Sequence, residues 1–104
     1  FWSIWENEDL IGCGAIKILG ENHGEFKSIR VHDRFREKGF GKKIISILVS
    51  KSRDIRLKNI FIETGSGNFF KPARKLFKSC GFEECDPFGH YKNDPNSCYM
   101  KINI

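Results

Sequence analysis

Two glycines one residue apart, Gly39 and Gly41, lie in the basic run of residues 34–43, Arg-Phe-Arg-Glu-Lys-Gly-Phe-Gly-Lys-Lys. Glycine has no Cβ, so the backbone can approach a ligand closely at these positions. Lysine and arginine form strong charge-assisted hydrogen bonds with anions. The run therefore predicts contact with a negatively charged group: a nucleotide, a nucleic acid or another phosphate ligand. A solvated surface loop is the alternative.

Two common phosphate-binding motifs do not fit this run. A Walker A loop, G-x-x-x-x-G-K-[S/T], requires a glycine and a hydroxyl where this chain has Arg36 and Lys43. A dinucleotide-binding fingerprint, G-x-G-x-x-G, requires a third glycine where this chain has Ile44. A third pattern, R-x-x-G-x-G, matches residues 36–41.

Apolar patterns on either side place the loop between a strand and a helix. They predict strands at residues 1–6, 10–19, 25–31, 59–64, 82–85 and 97–104, and helices at 41–57 and 69–80. Gly12 and Gly14 indicate a bulge or a close approach of the backbone in the second strand. Asn68 is the expected N-cap of the second helix, with Pro72 in its first turn and Gly81 after its end. The order β-β-β-α-β-α-β-β predicts one mixed α/β sheet, with parallel strands before and after the first helix.

Length and composition limit the class of protein. The 104 residues correspond to a single domain, 1–104. A net charge of +5 fits a solvated surface or an anionic partner. Nucleic-acid binding ranks last, because neither an aromatic RNA-binding pair nor a base-reading helix is visible, and without a long apolar run no membrane partner is expected. Four cysteines without C-x-x-C or zinc spacing indicate reduced thiols in a cytoplasmic protein, without a metal.

The loop and its flanking segments resemble the Gcn5-related N-acetyltransferase (GNAT) family, in particular a bacterial subgroup of it. Besides R-x-x-G-x-G, the matching stretches are E-T-G-S at 63–66, P-A-R-K-L-F at 72–77, G-F at 81–82, C-D-P-F at 85–88 and Y-K-N-D-P-N-S at 91–97. The resemblance covers the whole chain. Compared with this family, a first strand and two helices that form one wall of the acceptor site are missing ahead of Phe1, so we expect an N-terminally incomplete domain.

The resemblance implies a mostly antiparallel sheet with a splayed parallel strand pair and flanking helices. It also implies acetyl-CoA as cosubstrate and direct attack on it by an amine. The pantetheine chain would pair with the backbone near Ile29 and Val31, and the glycine loop would hold the pyrophosphate. The expected cofactor-binding residues are Ile29, Arg30, Val31, Arg36, Glu37, Lys38, Gly39, Phe40, Gly41, Lys42, Asn68 and Phe77.

Family resemblance also suggests the catalytic groups. Glu25 lies four residues before Ile29, on the expected same face of the strand, and is the candidate base that deprotonates the amine; an exposed strand-edge carboxylate is the alternative. Glu63 is the second candidate. The tyrosine that often protonates the leaving thiolate in this family is replaced by Phe77, which has no proton to donate. Tyr91 is the substitute candidate.

Together these features predict an N-acetyltransferase that moves an acetyl group from acetyl-CoA to a small-molecule or peptide amine. The alternative is a catalytically weak or inactive acyl-CoA-binding module. Two features favour this alternative: Phe77 in place of the tyrosine, and the missing N-terminal helices that form one wall of the acceptor site. The sequence does not identify the acceptor, and it leaves a homodimer open.

Overall fold

The structure, a computed structural model, describes residues 1–35 and 39–104. In that part of the chain, six strands form one sheet with the order β1-β2-β3-β4-β6-β5. The elements are β1 Trp2–Glu6, β2 Asp9–Gly20, β3 His23–Val31, α1 Phe40–Asp54, β4 Asn59–Gly65, α2 Lys71–Ser79, β5 Glu83–Glu84 and β6 Ser97–Asn103. The pair β3–β4 is parallel, and the other four pairs are antiparallel. The predicted order of elements and the mixed sheet are confirmed.

Both helices begin or end differently from the prediction. Helix α1 ends at Asp54, because Arg56 adopts a left-handed conformation (φ 65°) and Leu57 N–H bonds the Ser52 carbonyl in a Schellman-type end. Asn68 is not the N-cap of α2: it starts a short 3₁₀ turn, and α2 follows it at Lys71. Among the described residues, neither helix has the about 20 apolar residues that a membrane crossing takes.

One face of the sheet packs against both helices and forms the core. Ile44 and Leu48 of α1 are fully buried over β2. The glycines of β2 make room for them: a Cβ on Gly12 would lie 2.7 Å from Ile44 Cδ1, and one on Gly14 would lie 2.6 Å from Leu48 Cδ1. The predicted close approach of the backbone is therefore confirmed. Burial of each large aliphatic side chain contributes about 1.5–3 kcal/mol, so this seam fixes α1 on the sheet.

A bulge interrupts β3 at Ser28, which has a positive φ of 56°. Cys13 pairs with Arg30 and Ala15 pairs with Lys27. An advance of two residues along β2 therefore corresponds to an advance of three residues along β3. Because of this extra residue, side chains after the bulge point to the face opposite to the one that regular alternation would give them. Glu25 therefore points away from the helices, whereas Ile29 and Val31 pack against the core. The prediction that Glu25 and Ile29 share one face is wrong for this reason.

The two parallel strands separate soon after they meet. Their ladder contains three pairs, His23–Asn59, Gly24–Ile60 and Glu25–Phe61. Beyond Phe61, β4 continues to Gly65 with β6 as its partner, while β3 continues to Val31 beside β2. The expected splayed pair is confirmed, and its opening begins next to Glu25.

We expect Gly12→Ala to lower the free energy of unfolding by about 2–3 kcal/mol, which urea denaturation would measure. A Cβ at this position would lie 2.0 Å from the Arg30 carbonyl oxygen, so the β2–β3 ladder itself would have to move. Gly20→Ala is the matched control in the same strand, since a Cβ there meets no atom within 4 Å. Equal stability of the two variants would contradict the packing described for β2.

Candidate active site

The separation of β3 and β4 opens a cavity of about 620 Å³, which we call the fork cavity. Its walls are residues 25–30 of β3, residues 62–65 of β4, Phe70, Ala73 and Phe77 from the α2 region, and Tyr91 and Asn96 from the loop before β6. Ala73 and Phe77 belong to the helix face of the sheet, whereas Glu25 and Tyr91 belong to the opposite face. The fork cavity therefore passes between the strands from one face of the sheet to the other.

Glu25 lies at the closed end of this opening. The residue is 2% exposed, so it is not the exposed strand-edge carboxylate of the alternative reading. The Tyr91 hydroxyl donates a hydrogen bond of 2.8 Å to Glu25 Oε2, and Lys27 Nζ lies 4.0 Å from the same oxygen. A buried carboxylate needs such partners, because desolvation of an unpaired charge is unfavourable.

Tyr91 reaches Glu25 from the loop between β5 and β6. Its ring packs against Phe88 and Tyr99, with ring centroids 5.1 and 5.5 Å away. Burial raises the pKa of Tyr91 far above its ordinary value of 10, and the hydrogen bond to Glu25 and the charges of Glu25 and Glu63 raise this pKa further. The phenol therefore keeps its proton and directs it at the Glu25 carboxylate.

Glu63 lies on the same face of the sheet as Glu25, two positions along β4 from the last parallel pair. It is half-buried, and Ser97 Oγ donates a hydrogen bond of 2.8 Å to its Oε2. Glu63 and Tyr91 line the fork cavity and also a second cavity of about 440 Å³, which is formed mainly by residues 90–99. The three candidate catalytic residues, Glu25, Glu63 and Tyr91, are therefore brought together at one opening.

The structure separates the expected cofactor-binding residues into two groups. Ile29, Arg30 and Phe77 line the fork cavity. Phe77 is 6% exposed and packs against the Phe82 ring, so it belongs to both the core and the cavity wall. The other expected cofactor-binding residues that the structure describes do not line this cavity: Val31, Gly39, Phe40, Gly41, Lys42 and Asn68.

The described part of the glycine loop lies at the start of α1. Gly39 is the N-cap residue with a φ of 82°, which favours glycine. Gly41 is required by packing, since a Cβ there would lie 2.7 Å from Leu76 Cδ2. Phe40 packs edge-on against Phe35, and Lys42 is exposed. Three further expected residues of this loop, Arg36, Glu37 and Lys38, lie outside the described residues.

The first turn of α1 has unfavourable electrostatics. It contains no acidic residue but does contain Lys42 and Lys43. The positive end of the helix dipole lies at the helix N-terminus, where the positive charge of a lysine is unfavourable and an anion is stabilised. Lys43 is compensated by Glu6, with 3.0 Å between Nζ and Oε1. Among the ion pairs of the described residues, none involves Lys42.

Residues outside the candidate set also shape the site. Arg74 donates hydrogen bonds of 2.8 and 2.9 Å to the carbonyls of Gly65 and Gly67, which hold the loop after β4. Phe70 covers Gly65 and lines the fork cavity, whereas the neighbouring Phe69 is 85% exposed. A period-2 pattern in β6 could have assigned Tyr99 to the face of Glu63. No local signal connects Arg74 with two carbonyl groups.

The raised pKa of Tyr91 predicts a pH dependence of stability. The unfolded chain releases this proton above pH 10, its ordinary value, while the folded chain retains it, so the free energy of unfolding falls as the pH rises from 10 to 11. In Tyr91→Phe, the free energy of unfolding should decrease less steeply over this range, because the group that releases the proton is gone. The slope should differ from that of the wild type by up to about 1.4 kcal/mol per pH unit, as measured by urea denaturation at each pH. Glu25→Gln should give an intermediate slope. Identical slopes in the wild type and Tyr91→Phe would contradict the assignment.

Comparison with known proteins identifies the family. Residues 1–82 match the model of the acetyltransferase (GNAT) family. The uncharacterized N-acetyltransferase YsnE of Bacillus subtilis is 43% identical over 100 residues, which are 96% of this chain and 66% of YsnE. The chain thus spans just under two thirds of the length of that relative.

Solved structures agree with this result. A structure named as an acyl-CoA N-acyltransferase from Klebsiella pneumoniae superposes with a TM-score of 0.88 and 27% identity, over 97% of this chain and 69% of that one. A Bacillus subtilis acetyltransferase in complex with CoA has the same fold, with a TM-score of 0.82 and 19% identity over 98% of this chain and 74% of that one. The match of the family model over residues 1–82, together with the 43% identity to YsnE, shows that this chain belongs to the GNAT acetyltransferase family.

Proposed function

We propose that this chain carries the catalytic core of an N-acetyltransferase, which transfers an acetyl group from acetyl-CoA to an amine by direct attack. The observation that carries this proposal is the fork cavity, with the buried carboxylate of Glu25 at its closed end. In a member of the GNAT family, this combination supplies a slot for a thioester and a base beside it. The CoA bound by the Bacillus subtilis structure of the same fold supports the choice of donor.

The donor would enter the fork cavity from the helix face. Residues 27–30 of β3 border this cavity where β4 has already diverged, so the pantetheine amides can pair with this edge like an added strand. The pyrophosphate would lie at the start of α1, where helix N–H groups and Lys42 attract it. We assign Gly39, Phe40 and Gly41 to this loop, together with Arg36, Glu37 and Lys38 from its sequence motif. Asn68 and Val31 stay weaker candidates.

The acceptor would approach from the opposite face. An amine must lose a proton as it attacks the thioester, and a nearby carboxylate can take that proton. Glu25 is our first candidate for this base and Glu63 the second. Tyr91 is our candidate proton donor to the thiolate, since Phe77 cannot serve. The second cavity, next to Glu63 and Tyr91, is open enough for a small-molecule or peptide amine.

Binding and turnover separate this function from that of a catalytically weak acyl-CoA-binding module. Acetyl-CoA at a hundred times its dissociation constant should stabilise the chain by about 2.7 kcal/mol, which thermal shift detects. Thiol release should then follow the addition of amines from a panel of amino acids, polyamines and peptides. Stabilisation without release on any amine would favour the binding module, and a lack of stabilisation would exclude both functions. Cytoplasmic location, the lack of a metal and a homodimer stay predictions.

We expect Glu25→Gln to reduce kcat for the best amine by about 100-fold, while the dissociation constant for acetyl-CoA stays the same. The amide has the shape of the carboxylate but cannot take up the proton. Glu84→Gln is the matched control, because Glu84 is an exposed residue of β5 that pairs with Lys78 at 3.4 Å. Equal kcat in the wild type and Glu25→Gln would remove Glu25 from the mechanism and turn attention to Glu63→Gln.

We expect Arg36→Ala to weaken acetyl-CoA binding by about 10-fold or more, because a charge-assisted hydrogen bond to phosphate contributes about 1.5–3 kcal/mol. Isothermal titration with acetyl-CoA and with a pantetheine thioester that lacks the pyrophosphate would measure this. The loss should be confined to the compound that carries the pyrophosphate. Arg53→Ala is the control, since Arg53 is exposed near the other end of α1. An unchanged dissociation constant in Arg36→Ala would argue against the pyrophosphate loop.

A further inference from the structure

We propose that Glu25 and Tyr91 form a proton relay that carries the proton of the attacking amine to the departing thiolate. This inference rests on the proposed acetyltransferase function and gives the two side chains one joint role. The relay would explain how the reaction ends in a family member whose Phe77 has no proton to donate.

The geometry of the pair carries the proposal. The Tyr91 hydroxyl lies 2.8 Å from Glu25 Oε2, and both side chains line the fork cavity, where the thioester would react. The Glu25 side chain is 3% exposed, so a proton that it accepts has a shorter path to Tyr91 than to bulk water. Lys27, whose Nζ lies 4.0 Å from Glu25 Oε2, is beyond hydrogen-bonding distance and is 43% exposed.

The position of the Tyr91 ring is defined by its neighbours. Phe88 and Tyr99 contact it on two sides, and its backbone N–H bonds the Phe88 carbonyl at 3.0 Å. Tyr99 also anchors this loop, because its hydroxyl donates a hydrogen bond of 2.9 Å to the Lys92 carbonyl. The ring can therefore stay in place when its hydroxyl is removed, which makes Tyr91→Phe a clean test.

The relay balances atoms and electrons. The amine nitrogen forms a bond to the acetyl carbonyl carbon and passes one proton to Glu25. The carbon–sulfur bond then breaks, and its electron pair goes to sulfur. Tyr91 gives its hydroxyl proton to that sulfur while Glu25 returns a proton to the Tyr91 oxygen. One proton has moved from nitrogen to sulfur, and both side chains are back in their starting states.

The two transfers at Tyr91 have to be concerted. Burial raises the pKa of Tyr91 far above its ordinary value, and the charge of Glu63 raises it further, so a free tyrosinate is disfavoured even while Glu25 holds the proton of the amine. Tyr91 can release its proton to sulfur only as it receives the proton of Glu25. Among the described residues, the charged groups that face this pair are Lys17, opposite Glu25 on β2, Lys27 and Glu63.

The test compares two acetyl donors, acetyl-CoA and its selenoester analogue, with the amine that the wild type acetylates fastest. A selenol is more acidic than a thiol and leaves without protonation. We expect Tyr91→Phe to reduce kcat with acetyl-CoA by about 100-fold and with the selenoester by less than about fivefold. Glu25→Gln should reduce kcat with both donors, and by a larger factor with acetyl-CoA, because it removes the base for the amine and also the proton that Tyr91 needs in order to protonate sulfur.

Tyr99→Phe is the matched control, because it removes a neighbouring phenol that points to the Lys92 carbonyl and not to Glu25. Its effect on kcat should be the same for both donors. An equal loss with both donors in Tyr91→Phe would overturn the relay and leave Tyr91 as a residue that only orients Glu25. Failure of the wild type to acetylate any amine would instead overturn the proposed function, and the relay with it.

A second measurement needs no variant. In mixtures of H₂O and D₂O, the relay predicts that kcat of the wild type with acetyl-CoA depends on the deuterium fraction along a curve, because several protons move in one step. With the selenoester, the dependence should become linear. A linear dependence with both donors would overturn the relay even if Tyr91→Phe failed to fold.

Discussion

The bulge at Ser28 is the constraint on which the rest of the site depends. One extra residue in β3 exchanges the faces of the strand, so that Glu25 points away from the helices while Ile29 and Val31 point into the core. A bulge also increases the local twist of a strand. It lies three residues beyond Glu25, the last β3 residue that pairs with β4, on the stretch of β3 that stays paired with β2. Ser28 itself lines the fork cavity, so the bulge forms part of the cavity wall.

Opening a sheet in its middle exposes polar backbone and leaves a carboxylate in a buried position. The protein compensates on the face opposite the helices, where Tyr91 bonds Glu25 and Ser97 bonds Glu63. Aromatic rings pack around these groups, with Phe61 and Phe88 4.8 Å apart and Phe88 and Tyr99 5.8 Å apart. Such ring pairs contribute about 0.5–1.5 kcal/mol each beyond the burial of their area. The site is therefore held by side chains from strands and from the loop before β6 together.

The sequence predicted the elements that depend on local patterns. Strand alternation, the apolar stripe of α1, Pro72 and Gly81 all gave the correct order of elements and the parallel pair. Predictions failed where an exceptional backbone conformation falls on a residue other than glycine. Ser28 and Arg56 both have positive φ, so the sequence indicated neither the bulge nor the end of α1. The contact between Tyr91 and Glu25 spans 66 residues, and no local pattern encodes such a distance.

The glycine loop illustrates how packing and binding can require the same residue. Gly41 has no room for a side chain because Leu76 of α2 lies against it, so its place in the R-x-x-G-x-G motif is explained without a ligand. The charges at the start of α1 indicate an anionic ligand independently of this packing. Two lysines and no carboxylate lie in the first turn of α1, where the helix dipole already disfavours positive charge, and Glu6 compensates one of them. An anion at this helix start would remove the remaining repulsion, and the pyrophosphate of a CoA ester has the required charge and size.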